Sequence, residues 1–251
     1  MPRIYNLKID RLPPNKFLFV KKIPMKATLP VIIDLSINPR MPPVYDQGDL
    51  GSCTANALVA AFAFVHKPST FTGSRLFLYF NERMVENDID NDSGATLYSG
   101  VECLKKYGVC PESRYPYIIS RFTKPPPALV YKEALKHKLI KAENLPSDLI
   151  SMKNALASGF PFVVGIAIYS EFESDLVAST GMVPMPKANS RPLGGHAVLV
   201  VGYDDRTKLF KVRNSWGRGW GIKGSGYFFL PYAYLDDPSL SSDLWVISSV
   251  T

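Results

Sequence analysis

Apolar and polar positions alternate with one rhythm in the first two thirds of the chain and with another after it. After Ser52 the sequence CTANALVAAFAFVH reads as a helix, apolar on every face from Ala57 to Val65, the pattern of a helix buried on every side. Ser52 stands where an N-cap would. Helical spacing returns over about 75–85 and about 98–107, with the polar loop 86–96 between them. A short helix is expected over residues 149–157, ending near Gly159. The period then shortens. Residues 162–169, 196–203, 209–213 and 227–230 are β-branched or aromatic runs bounded by Gly, Asp and Pro, which predicts strands, with Asp204-Asp205 as a hairpin turn. Helices first and strands afterwards imply an α+β protein with a helical lobe and a β lobe, and Pro125-Pro126-Pro127 marks the expected lobe connection.

The N-terminal stretch follows neither rhythm. Pro13-Pro14 and Pro24 interrupt any helix before Leu29. It also carries most of the charge: residues 1–30 hold seven basic side chains against Asp10 alone, so of a net charge of +7 only one belongs to the rest. A nucleic-acid enzyme spreads its lysines and arginines over a binding face, so no nucleic-acid partner is expected. The apolar stretches 57–65 and 160–169 fall well short of the roughly 20 residues a bilayer requires, and no membrane span is expected. Phe17-Leu18-Phe19-Val20 is too short for the core of a secretory signal. Three cysteines, Cys53, Cys103 and Cys110, form no even disulfide framework, which points to a reducing compartment, a cytoplasm or a virus particle. His66, His137 and His196 are widely separated, and no metal site or cofactor is implied.

Candidate chemistry sits in three segments: Gln47-Gly48-Asp49-Leu50-Gly51-Ser52-Cys53, Gly195-His196-Ala197-Val198, and the run from Asn214 to Gly221. A thiol at a helix start meets unpaired N–H groups and the positive end of the helix dipole, which favour a thiolate. A thiolate nucleophile needs a base, and His196, opening a buried strand with small neighbours, is the best candidate. An imidazole in that role needs a third group to fix its tautomer, and Asn214 ends the next expected strand.

These segments resemble the signature of the papain-like cysteine peptidase family, over approximately residues 29–235. The resemblance implies a two-lobed papain-like fold: a helical lobe with a central buried helix, an antiparallel β-barrel-like lobe, and a cleft between them. It also implies a thiol-dependent peptidase working through a thioester acyl-enzyme, an endopeptidase acting on proteins or peptides. Gln47, six residues before Cys53, inherits the place of an oxyanion donor, and Trp216 that of a shield over the Asn214–His196 hydrogen bond. His196 follows Cys53 by 143 residues and Asn214 by 161, the first within the usual roughly 130–150 and the second slightly beyond it.

The family's glycine strip for an extended substrate has its nearest copy in Asp92-Ser93-Gly94-Ala95, so Gly94, Gly195, Ala197 and Trp216 are the candidate substrate contacts. Leu50 stands where the family has a disulfide cysteine, in keeping with a reducing compartment, and Thr54 where it has a tryptophan, which alters one cleft wall. Cys103 and Cys110 match no catalytic position and are expected to be packed, unreactive thiols beside a reactive Cys53.

The implied organisation is a basic segment over 1–28 and a peptidase domain over 29–251, with the helical lobe at about 48–145 and the β lobe at about 146–235. Residues 1–28 are too short for the family's helical prodomain, yet extended they reach roughly 90 Å, enough to lie along the cleft. Phe17 and Phe19 are the expected anchors of such an arm. Two rivals remain. A Cys-His acyltransferase would normally use an aspartate third and lack the Gln47-to-Cys53 block. A catalytically silent papain-fold binding module has no chemical need to keep Gln47, Cys53, His196 and Asn214 together.

Overall fold

The computed structural model describes residues 3–9, 28–68 and 70–251, so Phe17 and Phe19 lie outside the described residues. Helix α1 (Cys53–Val65) runs through the middle of the molecule, with Cys53 to Phe64 all buried. It packs against α2 (Arg75–Val85), α3 (Leu97–Lys106) and one face of the sheet. Side-chain caps set where the neighbouring helices begin. Ser74 Oγ accepts from the Phe77 N–H at 3.1 Å to start α2, and Thr96 Oγ1 accepts from the Ser99 N–H at 3.0 Å to start α3. A short α4 (Ala128–Ala134) begins directly after the three prolines.

Among the described residues the sheet is antiparallel and has seven strands. Its order is β2 (Leu139–Asn144), β7 (Ser241–Val250), β3 (Phe162–Tyr169), β4 (Pro192–Asp204), β5 (Leu209–Arg213) and β6 (Tyr227–Pro231), with β1 (Ile32–Asp34) paired to β4. Helix α5 (Leu149–Ala157), capped by Asp148, precedes β3. The short helices α6 (Asp175–Thr180) and α7 (Tyr232–Asp236) flank the β lobe.

Strand β4 joins the two cores. Its side chains alternate across the sheet. Ala197, Leu199 and Val201 enter the core around α1, while Val198 and Val200 enter a second core with Phe162, Phe210 and Phe228. Because both faces are covered, the strand reads as one continuous apolar run. That register also brings the start of β4 to the N-terminal end of α1.

Candidate active site

The first turn of α1 offers its amides to a thiol because nothing else takes them. Ser52 occupies the N-cap position, but its side chain makes no capping bond. Its hydroxyl meets Tyr117 Oη at 2.5 Å and accepts from Asn56 Nδ2 at 3.0 Å. The backbone N–H groups of Ala197, across the lobe boundary, and of Thr54 and Cys53 instead favour the ionised Cys53 sulfur.

On the β side, His196 pairs with Ile166 of β3, and Asn214 follows the end of β5. His196 Nε2 lies 2.8 Å from Asn214 Oδ1, which also accepts from the Ser215 N–H at 2.8 Å. An amide oxygen only accepts, so this pairing fixes the proton on Nε2 and leaves Nδ1 as the basic nitrogen. Nδ1 has no hydrogen-bond partner among the described residues. Trp216 stacks on the imidazole with centroids 5.1 Å apart and, by excluding water, strengthens the Asn214 bond.

Gln47 is held from three directions. Its N–H donates to the Ser215 carbonyl at 2.9 Å, Nε2 donates to the Leu50 carbonyl at 2.9 Å, and Oε1 accepts from Ser215 Oγ at 2.6 Å. A primary amide has two N–H donors, so one remains for a substrate oxygen. The structure thus joins His196 to Asn214, ties Gln47 to Ser215 next to Asn214, and sets Cys53 beside Ala197, the residue after His196.

Residues 3–9 lie across this site. The Leu7 N–H donates to the Gly195 carbonyl and the Lys8 N–H to the Ala95 carbonyl, both at 3.1 Å, so the segment bonds both cleft walls. Asn6 Nδ2 donates to the Asp92 carbonyl at 2.6 Å. Gly94 has φ +71°, and a Cβ there would collide with the Asn6 carbonyl oxygen, which is why a glycine stands at that place. Leu7 is buried among Gly165, Gly195 and Ser242. Tyr5 donates to Glu173 Oε1 at 2.6 Å and sets its ring edge-on to His196 and Trp216, while the Arg3 guanidinium lies 3.9 Å above the Trp216 ring. Among the sequence candidates, Gly94, Gly195 and Trp216 thus touch the segment directly, and Ala197 touches Cys53.

This cover changes the electrostatics. Cys53 and His196 are both fully buried. Burial pushes the Cys53 thiol up to about 12, outweighing the helix amides that lower it, and takes the His196 imidazole down to about 4 despite its bond to Asn214. Under residues 3–9, burial thus opposes the thiolate that the helix start favours. Cys103 and Cys110 are also buried free thiols whose ionisation burial disfavours.

Two features of the site escaped sequence reading. Thr54 Oγ1 donates to Glu82 Oε2 at 2.7 Å, so its hydroxyl faces α2, and burial raises that carboxyl to about 8. Asp92 accepts from the Gly51 N–H at 2.9 Å and from the Tyr79 hydroxyl, tying the loop before Cys53 to the glycine strip. Among the described residues no group of three or more His, Cys, Asp or Glu is placed to hold a metal ion.

A model of the papain family cysteine proteases matches residues 29–233. The chain belongs to the papain family. This papain-family chain is 46% identical over 218 residues to an uncharacterized peptidase C1-like protein of Acanthamoeba polyphaga mimivirus, covering 82% of this chain and 70% of that one. It is 32% identical to a cathepsin B-like protein of Giardia intestinalis over 75% of its own length and 64% of that protein's. Xylellain, a cysteine protease from Xylella fastidiosa, superposes with a TM-score of 0.88 at 37% identity, covering 98% of this chain and 96% of that one. The papain-like α+β architecture and a cysteine peptidase activity follow from this membership.

Proposed function

We propose that Cys53 is the nucleophile of an endopeptidase, with His196 as its acid and base, Asn214 orienting the imidazole, and Gln47 together with the Cys53 N–H stabilising the oxyanion. The carrying observation is the buried 2.8 Å His196–Asn214 bond, which leaves His196 Nδ1 as the basic nitrogen at the boundary where Cys53 starts α1. The thiol proton passes to His196, and the sulfur bonds the scissile carbonyl carbon while its π pair moves to oxygen. The C–N bond then breaks as His196 protonates the leaving amine. Water, deprotonated by His196, attacks the thioester and expels the Cys53 thiolate, which takes the proton back from His196 and closes the cycle.

Residues 29–251 form the peptidase domain in this reading, and residues 3–9 hold the cleft shut until they are displaced. Cys53, Cys103 and Cys110 as free thiols suit a reducing compartment. The test is cleavage of internally quenched peptides with both ends blocked, so that only internal cuts are read. Cys53→Ala removes turnover while the far-ultraviolet spectrum is unchanged. His196→Ala lowers kcat by roughly 10³-fold or more, and Asn214→Ala by a smaller factor of roughly 10–100, because it orients the base without moving protons. Equal and trivial losses for these last two would sink the assignment.

A further inference from the structure

The segment in the cleft also reports what chemistry its walls accept. Lys8 Nζ lies 2.8 Å from Glu86 Oε2, 3.2 Å from Ser93 Oγ and 3.9 Å from Asp88 Oδ2. Its neighbour Leu7 fills the apolar side of the cleft, where about 170 Å³ of open space remains beside it.

The acidic seat is built rather than incidental. Glu86 is fixed by accepting the Thr96 N–H on Oε1 at 2.9 Å, and Asp88 by accepting Asn91 Nδ2 on Oδ1 at 2.7 Å. Both acids sit at the C-terminal end of α2, where the helix dipole already presents negative charge and where cations are the favoured occupants. Arg83 in the last turn does not neutralise them by direct pairing, since its guanidinium donates to the carbonyls of Ile89, Asn91 and Phe122. Two carboxylates at the wrong end of a helix are a local cost that a bound cation offsets.

We infer that Glu86, Asp88 and Ser93 form a subsite for a lysine or arginine side chain of the substrate, so that the enzyme prefers peptides in which a basic residue adjoins an aliphatic one. Lys8 beside Leu7 is the internal copy of that pair. The basic residue is the one farther from the scissile bond, because Leu7 bonds Gly195, next to His196, whereas Lys8 bonds Ala95 on the opposite wall.

This rests on the peptidase reading above, and the experiment separates the two. Full-length Lys8→Ala protein, whose seat is emptied, is assayed on quenched peptides that differ only in carrying Lys, Arg, Gln or Glu next to a leucine. We expect kcat/KM for Lys and Arg to exceed that for Glu at least tenfold at low salt, the ratio shrinking as ionic strength rises. Glu86→Gln with Asp88→Asn brings the ratio to within about twofold, and Asp88→Asn alone lowers it partway, with thermal melting confirming that each variant folds. Equal turnover of the Lys and Glu peptides, or a ratio untouched by these changes, overturns the subsite. If no peptide is cut, even when Leu7→Asp is added to open the cleft, the peptidase reading fails. The subsite is then read from fluorescence polarisation of the same peptides on the Lys8→Ala, Cys53→Ala protein. Preference for Lys there supports it, and no preference or no binding overturns it.

Discussion

Two contacts close around the active site, and they are made of different materials. Between α1 and β4 the buried groups include Ala57, Leu58 and Ala61 of the helix and Ala197, Leu199 and Val201 of the strand, all apolar and within one core. Between residues 3–9 and the cleft, only Leu7 is a buried apolar anchor. The rest is mainly polar, including two backbone hydrogen bonds, the Asn6–Asp92 bond, the ion pair of Lys8 with Glu86, the Tyr5–Glu173 bond and Arg3 on Trp216, while Ile9 stays 68% exposed. Water offers the apolar contact no substitute, whereas it satisfies nearly every polar group of the second one at little net cost. The first contact is therefore part of the fold, and the second is a cover that opens while the fold persists.

The largest test of that contrast is to spoil each contact once. Fully burying a leucine is worth about 1.5–3 kcal/mol, so losing Leu7 from its pocket shifts the closed–open balance by roughly 10–100-fold. Leu7→Asp should raise the rate of iodoacetamide labelling at Cys53 by that factor while the melting temperature hardly moves. Leu199→Ala, in the interior of β4, should do the reverse. It costs about 2–5 kcal/mol of global stability and leaves the labelling order of the three thiols as it was. Labelling of Cys53 at the same rate in wild type and Leu7→Asp would mean that residues 3–9 do not cover it in solution.

Acid should loosen the cover by a smaller factor. The closed state holds His196 neutral, with its pKa depressed from 6.5 to about 4 by burial and, less strongly, by the Arg3 guanidinium. Once residues 3–9 leave, the imidazole regains water and its ordinary affinity for a proton. The contribution to closure is thus complete above pH 6.5 and is lost as pH falls from 6.5 towards 4. Between pH 7.5 and 5.5 this linkage alone favours opening by about tenfold. Hydrogen exchange at the Leu7 and Lys8 amides, corrected for the intrinsic rate, should accelerate accordingly. Exchange that slows on acidification would reverse the sign and defeat the argument.

The same contrast separates what was legible in the sequence from what was not. Helix α1 was readable because the run from Ala57 to Val65, without a polar face, admits few other structures, and β3 and β5 because their branched and aromatic runs end at turn formers. Strand β7 was missed because serines flank Leu244–Ile247, so its apolar run looks too short. Its place between β2 and β3 is a long-range fact. Helix α4 hid behind the prolines, since Pro127 serves as its N-cap residue while reading as a linker. Gln47, Cys53, His196 and Asn214 stood out together only through their match to a family signature. The pairing of Thr54 with Glu82, and of Lys8 with Glu86, joins residues 28 and 78 positions apart, and no local pattern announces either.

The smallest expected effect lies in the permanent wall of the cleft and marks how rigid it is. Ser215 Oγ donates to Gln47 Oε1 at 2.6 Å, while Gln47 Nε2 donates to the Leu50 carbonyl. These two bonds settle which way the buried amide faces and aim its remaining N–H. Ser215→Ala removes one of them but keeps the backbone bond from the Gln47 N–H to the Ser215 carbonyl, so the loop stays in place. The amide then wobbles about a single tether. A neutral hydrogen bond of this kind is worth about 0.5–1.5 kcal/mol, so kcat should fall by roughly 2–10-fold. KM should hardly change, because the oxyanion exists only after attack and ground-state binding does not use the donor. Ser215→Thr, which restores a hydroxyl, should recover most of the loss. A fall confined to KM, or no recovery with threonine, would show that Ser215 shapes the cleft and does not orient Gln47.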